Sequence, residues 1–175
     1  MRKSGLRWVL LGVENSKQST LESFRKNITP EDAKKAVKLL KKNDVFTHAM
    51  FIIGERKDTA ESIAESRAFI NELDPDFVIF AILTPFPGTE LFEEAKKNGW
   101  IEDSNWANYD MVHAIMPTET LSMKDVQEEL YKCYKSFYGS WKRRVQGLFS
   151  GNELKRRVYR YMLSQGIIKQ LRDLF

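Results

Sequence analysis

Three apolar runs separated by helical patterns constrain the fold of this chain more than any other feature. They occupy residues 6–13, 45–53 and 77–83, and each is apolar over most of its length. Such runs are typical of parallel strands that are covered on both faces, and strands that alternate with crossover helices form right-handed βαβ units. The sequence therefore predicts an α/β fold built on a parallel sheet of about three strands.

A parallel sheet of so few strands is small, and we expect both of its edges to be exposed. We therefore predict a fragment of a partial (β/α) barrel over residues 1–117, followed by an α-helical C-terminal region over residues 118–175. The first residues end in Ser4-Gly5, a pair typical of a helix end, so we also expect the chain to begin inside a larger fold.

Capping residues mark the predicted helices of the barrel region. A helix begins at Pro30, after a threonine cap, and its buried stripe includes Leu39. Asp58 is predicted to cap the next long helix, because an acidic residue follows it three positions later. Shorter helices are predicted over residues 20–26 and 89–97.

Two helices are predicted in the C-terminal region. The first spans residues 122–143 and places Cys133 and Trp141 on one apolar stripe. A thiol in such a stripe is more often a buried structural side chain than a reactive one. The second helix spans residues 152–174, and its apolar face includes Tyr161.

Composition restricts the functional classes that fit this chain. Its single cysteine leaves no second thiol for a disulfide, a zinc site or an iron–sulfur site within the 175 residues. His48 and His113 are far apart and have no cysteine near them, so ordinary packing or surface histidines are expected. No apolar run reaches the roughly 18 residues of a membrane span, and no signal peptide is evident. We expect a cytoplasmic protein without a transmembrane segment.

Basic residues are concentrated near the C-terminus, where residues 142–175 contain nine basic and two acidic side chains. This pattern allows binding to nucleic acid or to a membrane surface, through phosphate contacts that salt weakens. A solvated helix face, or the carboxylates of an anionic substrate, accounts for the same charges. We expect no nucleic-acid partner.

Polar residues follow each predicted strand, at the end of the sheet where α/β folds bind ligands. Side chains after the first strand can hydrogen-bond ribose hydroxyls, Gly54 permits close approach to the backbone, and Ile53 or Phe86 can line an adenine ring. The candidate cofactor-binding residues are Glu14, Asn15, Ser16, Ile53, Gly54, Thr84, Pro85 and Phe86. They suit a nucleoside-bearing cofactor, although Glu14 is equally explained as an acid at a helix start.

Three segments in this order resemble a known family: GVENS…STLESFRKN, AMFIIG…DTAES and TPFPGTELFEEAKKNGW. They are similar to the fourth, fifth and sixth strands of the partial barrel of radical S-adenosylmethionine enzymes, in particular the cobalamin-binding branch. The resemblance covers residues 1 to about 140, and its most specific part is the TPFPGT loop.

The resemblance implies a role for each segment. Glu14 and Ser16 would contact the ribose or methionyl part of S-adenosylmethionine, the Ile53-Gly54 backbone would border its adenine, and the loop of residues 84–89 would close the site. Two positions depart from the family pattern. Arg56-Lys57-Asp58-Thr59 replaces the usual Pro-Gly-Glu-Thr, and Glu14-Asn15-Ser16 replaces Glu-Ser-Gly.

The family also requires a CxxxCxxC loop whose cysteines hold a 4Fe–4S cluster, which reduces S-adenosylmethionine to a 5′-deoxyadenosyl radical. This chain contains no such motif. We therefore expect no catalytic or metal-binding residue here, no activity from this chain alone, and a cluster-bearing upstream half of the same polypeptide as its partner. Cobalamin is a further cofactor that this branch allows.

The nearest resemblance suggests oxidative cyclisation, or a related radical transformation, of a small molecule. A tetrapyrrole, magnesium-protoporphyrin IX monomethyl ester, is the substrate that it suggests. The alternative is a degenerate half-barrel that serves as a non-catalytic binding or scaffolding module.

Overall fold

A three-stranded parallel sheet organises the computed structural model, which describes residues 2–166. The strands are β1 (Trp8–Glu14), β2 (Phe46–Ile53) and β3 (Phe77–Ile82), and they lie side by side in chain order. Both pairs are parallel, with Leu10 opposite His48 and His48 opposite Phe77. The predicted parallel α/β arrangement, followed by a helical C-terminal region, is confirmed.

Helices connect the strands and then continue to the end of the described residues. They are α1 (Gln18–Ser23), α2 (Pro30–Lys42), α3 (Ala60–Leu73), α4 (Glu90–Lys97), α5 (Met123–Tyr138), α6 (Trp141–Leu148) and α7 (Glu153–Ser164). Short 3-10 turns occur at Arg2–Ser4 and Trp106–Asn108. None of the helices among residues 2–166 is both long and apolar enough to cross a bilayer.

One face of the sheet is covered by α2, α3 and α5, and it carries the hydrophobic core. Ala49, Phe51 and Ile53 of β2 are at most 1% exposed, and they pack with side chains such as Ile63 and Ile70 of α3. Cys133 of α5 belongs to the same core at 1% exposure, as predicted, and burial raises its thiol pKa to about 12. This thiol is a packing group.

The opposite face, which we call the open face, is not fully covered by the described residues. Trp8 and Leu10 of β1 are 44% and 55% exposed, and Ile79 of β3 is 38% exposed. The prediction that the first strand is covered on both faces was therefore wrong. Its apolar run is continuous, but burial alternates along it. Trp8, Leu10 and Gly12 are exposed, whereas Val9 and Leu11 between them are half-buried.

The outer edge of β3 is covered by hydroxyl groups of α5, so the expectation of two exposed sheet edges was also wrong. The Tyr138 hydroxyl accepts a hydrogen bond from the Val78 N–H at 3.0 Å and donates to the Val78 carbonyl at 2.6 Å. The Tyr134 hydroxyl makes the same pair of bonds to Phe80, at 3.2 and 2.8 Å. These bonds satisfy backbone groups that another strand would otherwise use.

The predicted helix over residues 122–143 is instead two helices. Gly139 ends α5, and the Ser140 hydroxyl accepts a hydrogen bond from the Arg143 N–H and so caps α6. The break turns Trp141 outward, to 75% exposure, so its predicted burial was wrong. In α7 the buried aromatic residue is Tyr159, whereas Tyr161 is 61% exposed.

Two smaller differences concern the ends and faces of helices. Leu39, predicted in the buried stripe of α2, is 62% exposed, because Val37 and Leu40 supply the face toward the sheet. The helix predicted over residues 152–174 ends at Ser164 within the described residues, and residues 167–174 lie outside them.

Candidate functional site

Backbone and side-chain hydrogen bonds bring the three predicted segments together at the carboxyl ends of the strands. The Asn15 amide donates to the Ile52 carbonyl at 3.2 Å, which joins the end of β1 to that of β2. The Leu83 N–H donates to the Ile53 carbonyl at 2.8 Å, which joins β2 to the segment after β3. The three segments therefore form one continuous rim.

Glu14 is the predicted residue whose carboxylate turns toward the open face. Its φ of 62° is in the left-handed region, which costs a non-glycine residue energy and often marks a functional position. The carboxylate lies over Gly12: a Cβ at residue 12 would come within 2.6 Å of the Glu14 Oε1. Glycine at position 12 thus makes room for a carboxylate at the end of β1.

Lys26 pairs with this carboxylate and was not predicted from the sequence. Its Nζ lies 2.8 Å from the Glu14 Oε1, and the Glu14 side chain is only 11% exposed. A cation beside a nearly buried carboxylate creates a site that can both accept and donate hydrogen bonds. The helix predicted over residues 20–26 includes Lys26, but α1 ends at Ser23 and Lys26 lies in the irregular segment that follows. No pattern in the sequence indicated that Lys26 faces Glu14.

Asn15 and Ser16 serve the protein framework instead. The Asn15 side chain is 1% exposed and uses its oxygen to accept a hydrogen bond from the Lys17 N–H at 2.9 Å. The Ser16 hydroxyl lies 2.9 Å from that of Ser66 in α3. Both side chains hold the loop after β1 in place, and the structure does not turn them toward the open face.

The turn after β2 is built by Asp58. Its carboxylate accepts hydrogen bonds from the Gly54 and Glu55 N–H groups at 2.9 and 3.1 Å and from the Ser62 hydroxyl at 2.7 Å. Burial raises the Asp58 pKa above its ordinary value, although these hydrogen bonds oppose the rise. Asp58 was predicted to cap α3, but Thr59 caps that helix, in a reciprocal pair with Ser62.

Gly54 has a structural reason for its lack of a side chain. Its φ is +80°, and a Cβ there would lie 3.2 Å from a methyl group of Val126 in α5. The direction in which a Cβ of residue 54 would point is therefore toward the core. The preceding Ile53 side chain is also in the core, at 1% exposure, so any ligand contact in this segment is made by backbone.

Arg56, where the family usually has proline, ties the same turn to the segment after α4. Its guanidinium carbon lies 4.2 Å from the centroid of the Trp100 ring, and the guanidinium donates to the Pro117 carbonyl. The Glu119 N–H returns a hydrogen bond to the Arg56 carbonyl at 2.8 Å. Arg56 therefore joins the turn after β2 to the segments around Trp100 and Pro117.

The loop after β3 is rigid at its base and exposed at its tip. Thr84 is 7% exposed and its hydroxyl donates to the Ile82 carbonyl at 3.0 Å, while Pro85 is buried. Phe86 is 38% exposed, and its carbonyl accepts a hydrogen bond from the Thr89 hydroxyl at 2.7 Å. Of the three predicted loop residues, Phe86 is the one whose side chain is exposed.

An ion pair spans the rim between its first and third segments. The Arg25 guanidinium lies 2.7 Å from the carboxylate of Glu90, in the first turn of α4. Both side chains are about 80% exposed, so the pair contributes little to stability.

The rim offers a small molecule groups of two kinds. The Glu14 carboxylate can accept hydrogen bonds, and the exposed Phe86 ring is apolar. No group of three or more histidine, cysteine or acidic side chains within residues 2–166 is placed to hold a metal ion. Ligands for an iron–sulfur cluster are therefore not supplied by the part of the chain that the structure describes.

A cavity of about 250 Å³ lies elsewhere, at the amino end of β1. It is lined by Arg2, Arg7, Asn152, Glu153, Leu154 and Arg157. Because the rim is at the carboxyl ends of the strands, this cavity is separate from the candidate site.

Comparisons with known proteins identify several relatives. The chain is 34% identical over 138 residues to an uncharacterized methyltransferase of Pyrococcus horikoshii, a match that covers 79% of this chain and 30% of that protein. It is 32% identical over 137 residues to an anaerobic magnesium-protoporphyrin IX monomethyl ester cyclase of Cereibacter sphaeroides, covering 78% of this chain and 22% of that protein.

A third relative is a bacteriochlorophyllide d C-8(2)-methyltransferase of Chlorobaculum tepidum, which is 30% identical over 141 residues, covering 79% of this chain and 31% of that protein. No protein-family model matches the chain. The chain thus spans about a third or less of the length of the curated relatives it matches.

Proposed function

Because the relatives of this chain are radical S-adenosylmethionine enzymes, as the sequence resemblance predicted, we propose that the chain forms the C-terminal side of the cofactor barrel in such an enzyme. In this proposal residues 1–117 are the barrel part and residues 118–175 are a helical extension. The observation that carries the proposal is the Glu14 carboxylate, held by a left-handed backbone over Gly12 at the carboxyl end of β1.

The residues of this chain have separate tasks in the proposed site. Glu14 accepts hydrogen bonds from the ribose hydroxyls or the amino group of S-adenosylmethionine, and Lys26 either keeps the carboxylate in place or pairs with the carboxylate of the cofactor. The backbone of Ile53-Gly54 and the Phe86 ring border the adenine. Asn15, Ser16, Thr84 and Pro85 hold the rim through the contacts described above.

The cluster and the remaining cofactors are proposed to be bound outside this chain. An upstream half of the same polypeptide would supply the cysteines for a 4Fe–4S cluster. The match covers only 30% and 22% of the length of two relatives, which supports such a division. When bound, the cluster supplies one electron to the cofactor. The chain alone would then be inactive, and cobalamin would bind, if it is used, in the rest of the protein.

We propose an apolar ring system as the substrate. The names of two relatives refer to a magnesium-protoporphyrin ester and to a bacteriochlorophyllide, both tetrapyrroles, and the open face offers the apolar side chains of Leu10, Met50 and Ile79. The reaction is oxidative cyclisation of magnesium-protoporphyrin IX monomethyl ester or a related radical transformation such as methylation. A cytoplasmic location is proposed with it, because the chemistry needs a reducing compartment.

Cleavage of S-adenosylmethionine tests this proposal. The complete polypeptide is reconstituted with iron and sulfide under anaerobic conditions, and 5′-deoxyadenosine is measured after addition of a reductant. We expect Glu14→Gln to weaken cofactor binding about tenfold or more, because a charge-assisted hydrogen bond is lost. The matched control is Glu22→Gln, an exposed glutamate of α1.

Two outcomes would contradict the proposal. A complete polypeptide that binds no cluster and cleaves no cofactor would favour the alternative, a non-catalytic binding or scaffolding module. Equal cofactor affinity in the wild type and Glu14→Gln would remove Glu14 from the site.

A further inference from the structure

An exposed apolar stripe runs along α6, outside the part of the chain that resembles the family. Trp141, Val145 and Phe149 are 75%, 44% and 80% exposed. They are spaced four residues apart, so they lie on one side of the helix and its C-cap. Within residues 2–166 no element covers them.

The other side of α6 is fixed to the body of the protein, so the stripe is held outward. A Cβ at Gly147 would come within 2.2 Å of the Tyr159 ring, which shows how closely α6 and α7 approach. The Arg143 guanidinium lies 3.9 Å from the Phe137 ring centroid and pairs with Asp74. These contacts prevent α6 from rolling to bury the stripe.

Helices α6 and α7 carry cations that have no carboxylate partner, although Arg144 and Arg156 donate to the Tyr138 and Ser150 carbonyls. Arg143, Lys155 and Arg157 each have a carboxylate partner. Among the described residues, no salt bridge is formed by Lys142, Arg144, Arg156 or Arg160. The surface is thus both aromatic and cationic.

We propose that this surface docks the protein on an anionic lipid bilayer, with the side chains of the stripe entering the headgroup region. Tryptophan and phenylalanine beside lysine and arginine are typical of helices that lie in the membrane interface. Anionic headgroups supply the negative charge that Lys142, Arg144, Arg156 and Arg160 lack. Helix α6 has eight residues, so it lies on the bilayer and does not span it.

Charge distinguishes this partner from a second copy of the chain. A two-fold contact through α6 would place the same cations of both copies against each other. Duplex nucleic acid would satisfy the cations, but its bases are already stacked and would leave the three apolar side chains without an apolar environment. An anionic bilayer matches both features.

Vesicle co-sedimentation of the complete polypeptide, purified without its cofactor, tests the proposal. The probes are vesicles of phosphatidylcholine alone and of phosphatidylcholine mixed with phosphatidylglycerol. We expect binding to the mixed vesicles, weaker binding in high salt, and at least about a tenfold loss in Trp141→Ser/Phe149→Ser. Leu39→Ser removes an apolar side chain that is 62% exposed on α2 and should have no effect.

A second matched pair of variants distinguishes the effect of changing the stripe from the effects of added charge and of misfolding. Val145→Asp adds a negative charge on the stripe, whereas Gln146→Asp adds the same charge beside it on the same helix, and both positions are exposed. We expect the larger loss from Val145→Asp, with unchanged circular dichroism. This measurement needs no cofactor, so its result is independent of the proposed enzymatic role.

Several results would overturn the inference. They are the absence of binding to mixed vesicles, equal binding by Trp141→Ser/Phe149→Ser, and a dimer in solution that this double variant dissociates. Binding of duplex DNA that competes with the vesicles and does not depend on Trp141 would point to nucleic acid instead.

Discussion

The carboxylate of Glu14 occupies the space above Gly12 that a side chain at residue 12 would take, with 2.6 Å between its Oε1 and the position of a Cβ. Gly12 and Glu14, which are two positions apart in the sequence, thus share one volume on the open face. The register of β1 shifts between them, and Glu14 lies opposite Phe51 of β2. A bulge at the end of an edge strand re-aims a side chain in this way.

Substitution of Gly12 tests the link between this volume and cofactor binding. Gly12→Ala should displace the flexible Glu14 side chain and weaken S-adenosylmethionine binding by the complete enzyme about tenfold, because the carboxylate loses its position. The melting temperature should change little, since alanine in a strand costs no more than glycine. Titration calorimetry and thermal melting measure both quantities.

The control for this variant is Gly151→Ala, where a Cβ would meet no atom within 4 Å. Unchanged affinity in Gly12→Ala would show that the position of the Glu14 carboxylate does not matter for binding.

Removal of the Tyr138 hydroxyl should destabilise the fold. Tyr138→Phe leaves the buried Val78 N–H and carbonyl groups without their partner, at a cost of about 1–3 kcal/mol. Tyr134→Phe should cost less, because the Tyr134 side chain is half-buried. Urea denaturation measures the free energy of unfolding, and Tyr161→Phe, at 61% exposure, is the control. Equal stability of the three variants would contradict the role of these hydroxyls at the sheet edge.

The two cations on Glu129 should differ in their contribution to stability. Arg67 and Glu129 are 20% and 5% exposed in their ion pair, whereas Lys132 is 51% exposed. Arg67→Met leaves the buried Glu129 carboxylate with Lys132 as its remaining cation, and should lower the free energy of unfolding by about 3 kcal/mol. Lys132→Met should cost at most about 1 kcal/mol. Chemical denaturation measures both losses in the free energy of unfolding. A larger loss in Lys132→Met than in Arg67→Met would contradict the expected order.

The stability contributed by Asp74 should depend on pH. Burial raises its pKa, but the hydrogen bond and charge of Lys41 and the charge of Arg143 outweigh burial, so the folded pKa lies below 3.8. A lowered carboxyl pKa stabilises the fold above the unfolded pKa, and the contribution is lost as the pH falls through the folded pKa.

Asp74→Asn isolates this contribution, since asparagine also accepts the left-handed φ of 50° at this position. The wild type should be more stable than the variant by about 1 kcal/mol at neutral pH, a small value because the Asp74 side chain is 43% exposed. The difference in the free energy of unfolding should vanish once the pH is below the lowered folded pKa of Asp74, and so below 3.8. A difference that stays constant from pH 7 to such acid values would exclude the ion pairs as its cause.

The three strands and most helices were predictable because they depend on local patterns. Apolar runs give β1, β2 and β3, and the cap before Pro30 gives the start of α2. The break between α5 and α6 was missed because Gly139 and Ser140 interrupt a stripe that otherwise continues at helical spacing. A periodic pattern shows which residues are apolar, but it does not show which of them pack against another element. Trp141 packs against none among the described residues and is 75% exposed.

The candidate site was predictable as a set of loops but not residue by residue. Parallel topology alone brings the ends of the strands together, so the rim was predictable from the order of elements. Which side chain turns toward a ligand depends on backbone angles and long-range contacts: Asn15 turns to Ile52, and Ser16 turns to Ser66. The pairing of Glu14, the last residue of β1, with Lys26 in the irregular segment after α1 has no local signal.

The two edges of the sheet differ in a way that limits how copies of the chain can polymerise. The β3 edge is occupied by the Tyr134 and Tyr138 hydroxyls and, at Ile82, by a hydrogen bond to the Met111 carbonyl, whereas β1 has one neighbouring strand among the described residues. A filament that grows by strand addition needs two receptive edges in every unit. Within residues 2–166 the sheet offers one such edge, at β1, so strand addition between copies of these residues could join two sheets but could not continue from the β3 edge.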